Sequence, residues 1–117
     1  MAPRIDWYYH RKNCVTCSRS LVFLEAAGAT IVEQVNAGKQ KYGPEEALQM
    51  VREAQKVWVA KGKKLLEFDM QKAPPSDDEL LKAIIGPSGN LRAPVIRRGK
   101  KMFIGFHAEV YAAELTG

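Results

Sequence analysis

The only two cysteines, Cys14 and Cys17, stand three positions apart where a β-favouring aromatic run gives way to a segment of helical periodicity. This junction restricts the fold more than any other feature. Residues Ile5 to His10 are aromatic and β-favouring, and the polar stretch from His10 to Asn13 leads out of them. From Val15 to Ala27 the apolar Leu21, Val22, Leu24 and Ala27 recur at helical spacing, and Gly28 is a suitable stop. The segment "ATIVEQVNA" then supplies a second short strand with Ile31, Val32 and Val35 to bury. The pattern predicts a β-α-β unit with parallel strands and a Cys-bearing first loop.

Pro44 stands at a first helical position, Glu45 and Glu46 occupy the first turn, and Leu48, Val51, Ala54/Gln55 and Trp58 continue at helical spacing, so a helix is expected over 42–58. Residues 59–70 are ambiguous: Leu66, Phe68 and Met70 alternate with Glu67 and Asp69 as a half-buried strand would, but the segment is short. Ser76 with Glu79 fits a capping box, and Gly86 closes the apolar set Leu80, Leu81, Ile84 and Ile85. Pro94, the turn Arg98-Gly99-Lys100 and the run Met102 to Ile104 read as an antiparallel hairpin. Val110, Tyr111 and Leu115 mark a terminal helix. The expected order is β-α-β-α(α)-β-β-α in one domain spanning 1–117.

A chain of 117 residues, 46% of them apolar, can close one modest core. Two cysteines are too few for a disulfide-stapled secreted scaffold, and the start "MAPRIDWYY" enters a strand-like run without a basic flank and apolar signal segment. No run of apolar residues approaches the ~18 to 20 needed to span a bilayer. The expectation is a cytoplasmic protein with no membrane partner. The net charge of +5 favours anionic partners. The basic clusters Lys61/Lys63/Lys64 and Arg97/Arg98/Lys100/Lys101 have no interleaved aromatic residues, so direct nucleic-acid binding is not expected.

The cysteine pair admits three readings. A structural zinc site wants four ligands, yet the only histidines, His10 and His107, lie at opposite ends of the chain. Two inert buried thiols are a second reading. The third is a redox pair: a cysteine at a helix N-terminus faces unpaired amides and the positive end of the helix dipole, which favour its thiolate. On that reading Cys14 attacks and Cys17, one turn into the helix, resolves. Arg11, Lys12 and Arg19 lie near enough in sequence to support the thiolate or to be merely solvated.

The stretches "YYHRKNC", "CVTCSRS" and "RAPVIRRGKKMFIGFHAEVY" resemble the ArsC/Spx-like family, the arsenate-reductase-like branch of the thioredoxin superfamily. The resemblance covers nearly the whole chain, with a divergent middle. It implies a thioredoxin-like α/β fold: a mixed sheet of about four strands flanked by helices, with a helical insertion at about 40–90 between the second and third strands. It also implies a role for His10 four residues before the active cysteine, and a cis bond at Ala93-Pro94 beside the cysteine pair. The family's arsenate reductases hold their oxyanion with three arginines. Here Ala93 stands directly before the proline with Arg92 one residue earlier, Lys61 is the only replacement in the middle segment, and Gly105-Phe106 occupies the third place. A lysine does not reproduce a guanidinium's bidentate grip, so arsenate reduction is disfavoured, and Lys61 and Arg92 are left as a candidate anion site facing Cys14.

The favoured expectation is a thiol-disulfide oxidoreductase that takes an oxidised acceptor or disulfide as substrate. It needs no bound cofactor or metal, only an external thiol reductant such as glutathione, glutaredoxin or thioredoxin. The resemblance also admits an Spx-like redox-sensing regulator that presents a surface to RNA polymerase, and an arsenate reductase proper.

Overall fold

The computed structural model describes residues 3–12 and 14–115. Its elements are β1 (Arg4–Ile5), β2 (Trp7–His10), α1 (Val15–Ala26), β3 (Thr30–Ile31), β4 (Gln34–Asn36), α2 (Pro44–Arg52), β5 (Lys56–Lys61), β6 (Lys64–Asp69), α3 (Asp77–Ile84), β7 (Val95–Arg98), β8 (Lys101–Ile104) and α4 (Ala108–Leu115). The fold is mixed α/β. Six strands form one mixed sheet in the order β4-β2-β7-β8-β5-β6, and β1 pairs with β3 in a small parallel sheet.

The opening unit has the anticipated shape: β2 runs parallel to β4, with Tyr9 opposite Val35, and α1 connects them. Each strand is broken once. At Asp6 the chain bends, its amide donating to the Arg97 carbonyl at 2.9 Å while its carboxylate accepts from the Gly99 amide at 2.6 Å, and this divides the expected first strand into β1 and β2. The second strand divides likewise, and Val32 at the break is 56% exposed instead of buried.

The middle segment corrects some sequence expectations and decides the stretch left open. The helix over 42–58 ends at Arg52, and Trp58 lies in a strand. Val57, Trp58 and Val59 suit a pleated surface better than a helix, and β5 pairs in parallel with β8, where Trp58 stacks on Phe103 at 4.8 Å. The undecided 59–70 completes an antiparallel hairpin that turns at Gly62, whose φ of +61° suits glycine. The main sheet therefore has six strands where about four were expected, and the insertion at about 40–90 carries a hairpin between its two helices.

Alternation along the strands fills two cores. Trp7, Tyr9, Val57, Val59, Val95, Met102 and Ile104 face α2 and α3, which bring Ala47, Val51, Leu80 and Ile84. On the other face Tyr8, Trp58, Ile96 and Phe103 meet Leu24 of α1 and Tyr111 and Leu115 of α4. Ser76 caps α3, accepting from the Glu79 amide at 3.2 Å. Arg98 closes the C-terminal end of α4 by donating to the Glu114 and Leu115 carbonyls. Among the described residues no helix is long and apolar enough to cross a membrane.

Candidate functional site

Cys14 is the N-cap of α1. Its backbone is extended (φ −115°, ψ 117°), and its sulfur accepts a hydrogen bond from the Cys17 amide at 3.3 Å, taking the place a serine or threonine oxygen fills in an ordinary cap. The first turn of the helix holds no acidic residue, so the positive end of its dipole acts on the sulfur uncompensated. Cys14 is half-buried, whereas Cys17 is only 1% exposed and lies behind it.

The two thiols are pulled apart in acidity. Partial burial disfavours the Cys14 thiolate, but the thiol and amide of Cys17 and the guanidinium of Arg11 outweigh it and hold Cys14 below the ordinary thiol range. Burial pushes Cys17 well up, and the neighbouring Cys14 sulfur adds to this against partial opposition from Arg11. The result is one thiol whose ionisation is favoured beside a buried one that holds its proton.

Beneath the pair runs a buried polar chain that the sequence did not reveal. The Tyr8 hydroxyl donates to Ser20 Oγ at 3.2 Å, with the Cys17 carbonyl at 3.4 Å. Ser20 lies 3.2 Å from the Tyr111 hydroxyl, which donates to the Gly105 carbonyl at 2.8 Å. Since Tyr111 gives its proton to Gly105, Ser20 donates to Tyr111 and accepts from Tyr8. Gly105 sits at φ +87°, and a β-carbon there would stand 2.7 Å from the Ala60 carbonyl oxygen. Burial pushes the Tyr8 phenol up to about 12 and the Tyr111 phenol up as well. The chain thus ties the Cys-bearing helix to β2, to α4 and to the exit of β8.

A cleft of about 290 Å³ opens over Cys14. Arg11, Thr16, Lys41, Ser88, Asn90, Arg92 and Ala93 are among its walls. The Ala93-Pro94 bond is cis, as expected, and Pro94 is buried at the start of β7. Of the anticipated site residues the structure brings Cys14, Cys17, Arg11 and Arg92 together. Lys61 is not among them: its ammonium donates to the Lys82 carbonyl at 3.0 Å, at the end of α3, which corrects the Lys61/Arg92 pairing. His10 stacks on Tyr8 at 5.0 Å and hydrogen-bonds Gln34, so its ring is committed to the β2–β4 pair. Lys12 and Arg19 are exposed and lie outside the cleft walls. Lys41, in their place, arrives from the loop after β4, and only the parallel pairing of β2 with β4 carries that loop to the cysteine end of the sheet.

Among the described residues no group of three or more His, Cys, Asp or Glu side chains is placed to hold a metal, and the geometry is that of a dithiol. The chain matches no family model and no curated protein, so the chemistry of this cleft carries the functional reading.

Proposed function

We propose that the protein is a thiol-disulfide oxidoreductase with a thioredoxin-like fold, of the arsenate-reductase-like branch, working through Cys14 and Cys17. The observation that carries this reading is the sulfur of Cys14 at the N-cap of α1, accepting from the Cys17 amide, with the Cys17 thiol buried directly behind it.

The Cys14 thiolate attacks one sulfur of a substrate disulfide. A Cys14–substrate disulfide forms, the substrate S–S bond breaks, and the departing thiolate takes a proton from solvent. Cys17 then loses its proton and attacks the Cys14 sulfur, forming the Cys14–Cys17 disulfide and releasing the second substrate thiol. Two electrons pass from the dithiol to the substrate, and an external thiol such as glutathione, glutaredoxin or thioredoxin returns them. Ala93, beside Cys14 in the cleft and before the cis proline, offers its backbone to the incoming chain. Arsenate reduction draws less support, because Lys61 is bonded elsewhere and the family's three-arginine set is not reproduced.

The test is turnover of a small model disulfide with dithiothreitol as reductant. Cys14→Ser should abolish turnover, and Cys17→Ser should accumulate a mixed disulfide on Cys14, visible as added substrate mass. Undiminished turnover in Cys14→Ser would sink the proposal.

A further inference from the structure

The cleft over Cys14 contains more positive charge than the thiolate uses. Arg11 serves the Cys14 sulfur. Lys41 and Arg92 line the same cleft, and no carboxylate is among its lining residues. Both cations are held from the backbone. Lys41 lies between Gln40, whose carbonyl accepts from the Tyr9 hydroxyl at 2.7 Å, and Tyr42, whose carbonyl accepts from the Leu91 amide at 2.8 Å. The Arg92 amide donates to the Ile84 carbonyl at 2.9 Å, and its Cγ is 3.5 Å from where a β-carbon on Gly86 would stand, so the stem packs against that glycine.

Arg92 Nε is buried and, among the described residues, has no hydrogen-bond partner. A buried donor left unmatched is costly, so the side chain gains by turning that edge into the cleft, where a planar carboxylate matches a guanidinium best by accepting two parallel bonds. The cleft is at the small end of the range for small-molecule sites. Pro87, Leu91 and Ala93 give it an apolar side, suited to a short methylene arm between a sulfur and a carboxylate.

We propose that Lys41 and Arg92 bind the carboxylate of a small acidic disulfide and so place its sulfur on Cys14. This selectivity rests on the oxidoreductase reading above and names the substrate class for it. Ser88 and Asn90 add neutral polar groups to the cleft walls.

Three disulfides test it, each with dithiothreitol as reductant: dithiodipropionate, its uncharged diamide, and cationic cystamine. The wild type should favour dithiodipropionate over the diamide by about tenfold in kcat/KM, the effect of one charge-assisted contact in a half-exposed site. That ratio should fall toward one in Lys41→Gln and in Arg92→Gln, and Lys41→Glu should turn the preference to cystamine. Lys41 is exposed, so its variants keep the fold even where Arg92→Gln does not. Equal rates for dithiodipropionate and the diamide in the wild type would overturn the inference and leave the oxidoreductase reading standing. If no disulfide is turned over, that reading fails and the site is decided by protection of Cys14 from iodoacetamide. Stronger protection by methylthiopropionate than by its amide or by sulfate, lost in Lys41→Gln, supports the carboxylate site. Equal protection by the amide, or equal protection by sulfate, overturns it.

Discussion

A sulfur atom at an N-cap is an unusual substitute for a hydroxyl, and at Cys14 it sets the chemistry. The amide of Cys17 reaches it at 3.3 Å, and the thiol of Cys17 and the guanidinium of Arg11 add to the same charge. These contributions favour the ionised form over the neutral one, so each lowers the pH at which Cys14 becomes a nucleophile. Cys17→Ala keeps the amide but deletes the thiol donor, and Arg11→Ala deletes the cation. Either change should slow alkylation of Cys14 near neutral pH by roughly three- to tenfold, the effect of losing one hydrogen bond to a charged group reduced by the solvent that reaches a half-buried sulfur. The pH dependence of the iodoacetamide rate measures this; an unchanged profile in both variants would show that the helix terminus alone holds the thiolate.

Helix α1 is fastened to the sheet through polar as well as apolar contacts. Leu24 fills the core, while Ser20, fully buried, joins Tyr8 of β2 to Tyr111 of α4. Ser20→Ala removes the acceptor of one buried phenol and the donor to another, and should cost about 1–3 kcal/mol of stability. Tyr8→Phe in the same chain deletes the phenol that Ser20→Ala leaves with only its longer bond to the Cys17 carbonyl, so the double variant should lose less than the two single losses combined. Urea denaturation of the three variants forms the cycle. Simple additivity would mean that Ser20 and Tyr8 contribute independently and that the chain beneath the cysteines is not one unit.

Over the whole molecule, burial acts in one direction on five ionisable groups: Cys17, Tyr8, Tyr111, Tyr9 and Tyr42 all keep their protons to higher pH in the fold. In an unfolded chain a thiol titrates near about 8.5 and a phenol near about 10. Above those values the unfolded chain releases protons that the fold retains, so rising pH favours unfolding. The stabilisation is complete below about pH 8 and is lost progressively toward pH about 12, where Tyr8 titrates in the fold. Urea midpoints should fall across this alkaline window, and less steeply in Tyr8→Phe. A midpoint that stays level from neutral pH into that window would contradict the assignment of these groups as held protonated by burial.

The local elements were legible in the sequence because their signals are local. The helical spacing and Gly28 delimit α1, the Ser76 and Glu79 pattern delimits α3, and the Gly99 turn marks the final hairpin, each through interactions within a few residues. The cysteine pair was legible for the same reason, since a cap is decided by the residue at the helix start. The length of α2 was not: Trp58 continues its spacing, but pairing with β8 and stacking on Phe103 draw it into a strand, and both partners are more than forty residues away. Neither was the cleft. Lys41 reaches the cleft over Cys14 only through the parallel pairing of β2 and β4, and Lys61 is drawn away to the end of α3 by a carbonyl that no spacing announces. Sequence alone determined that a cysteine sulfur would cap the first helix, because its helix terminus is built by neighbouring residues. Tertiary structure decided which cations surround it, because strand pairing, not spacing along the chain, sets which loops meet.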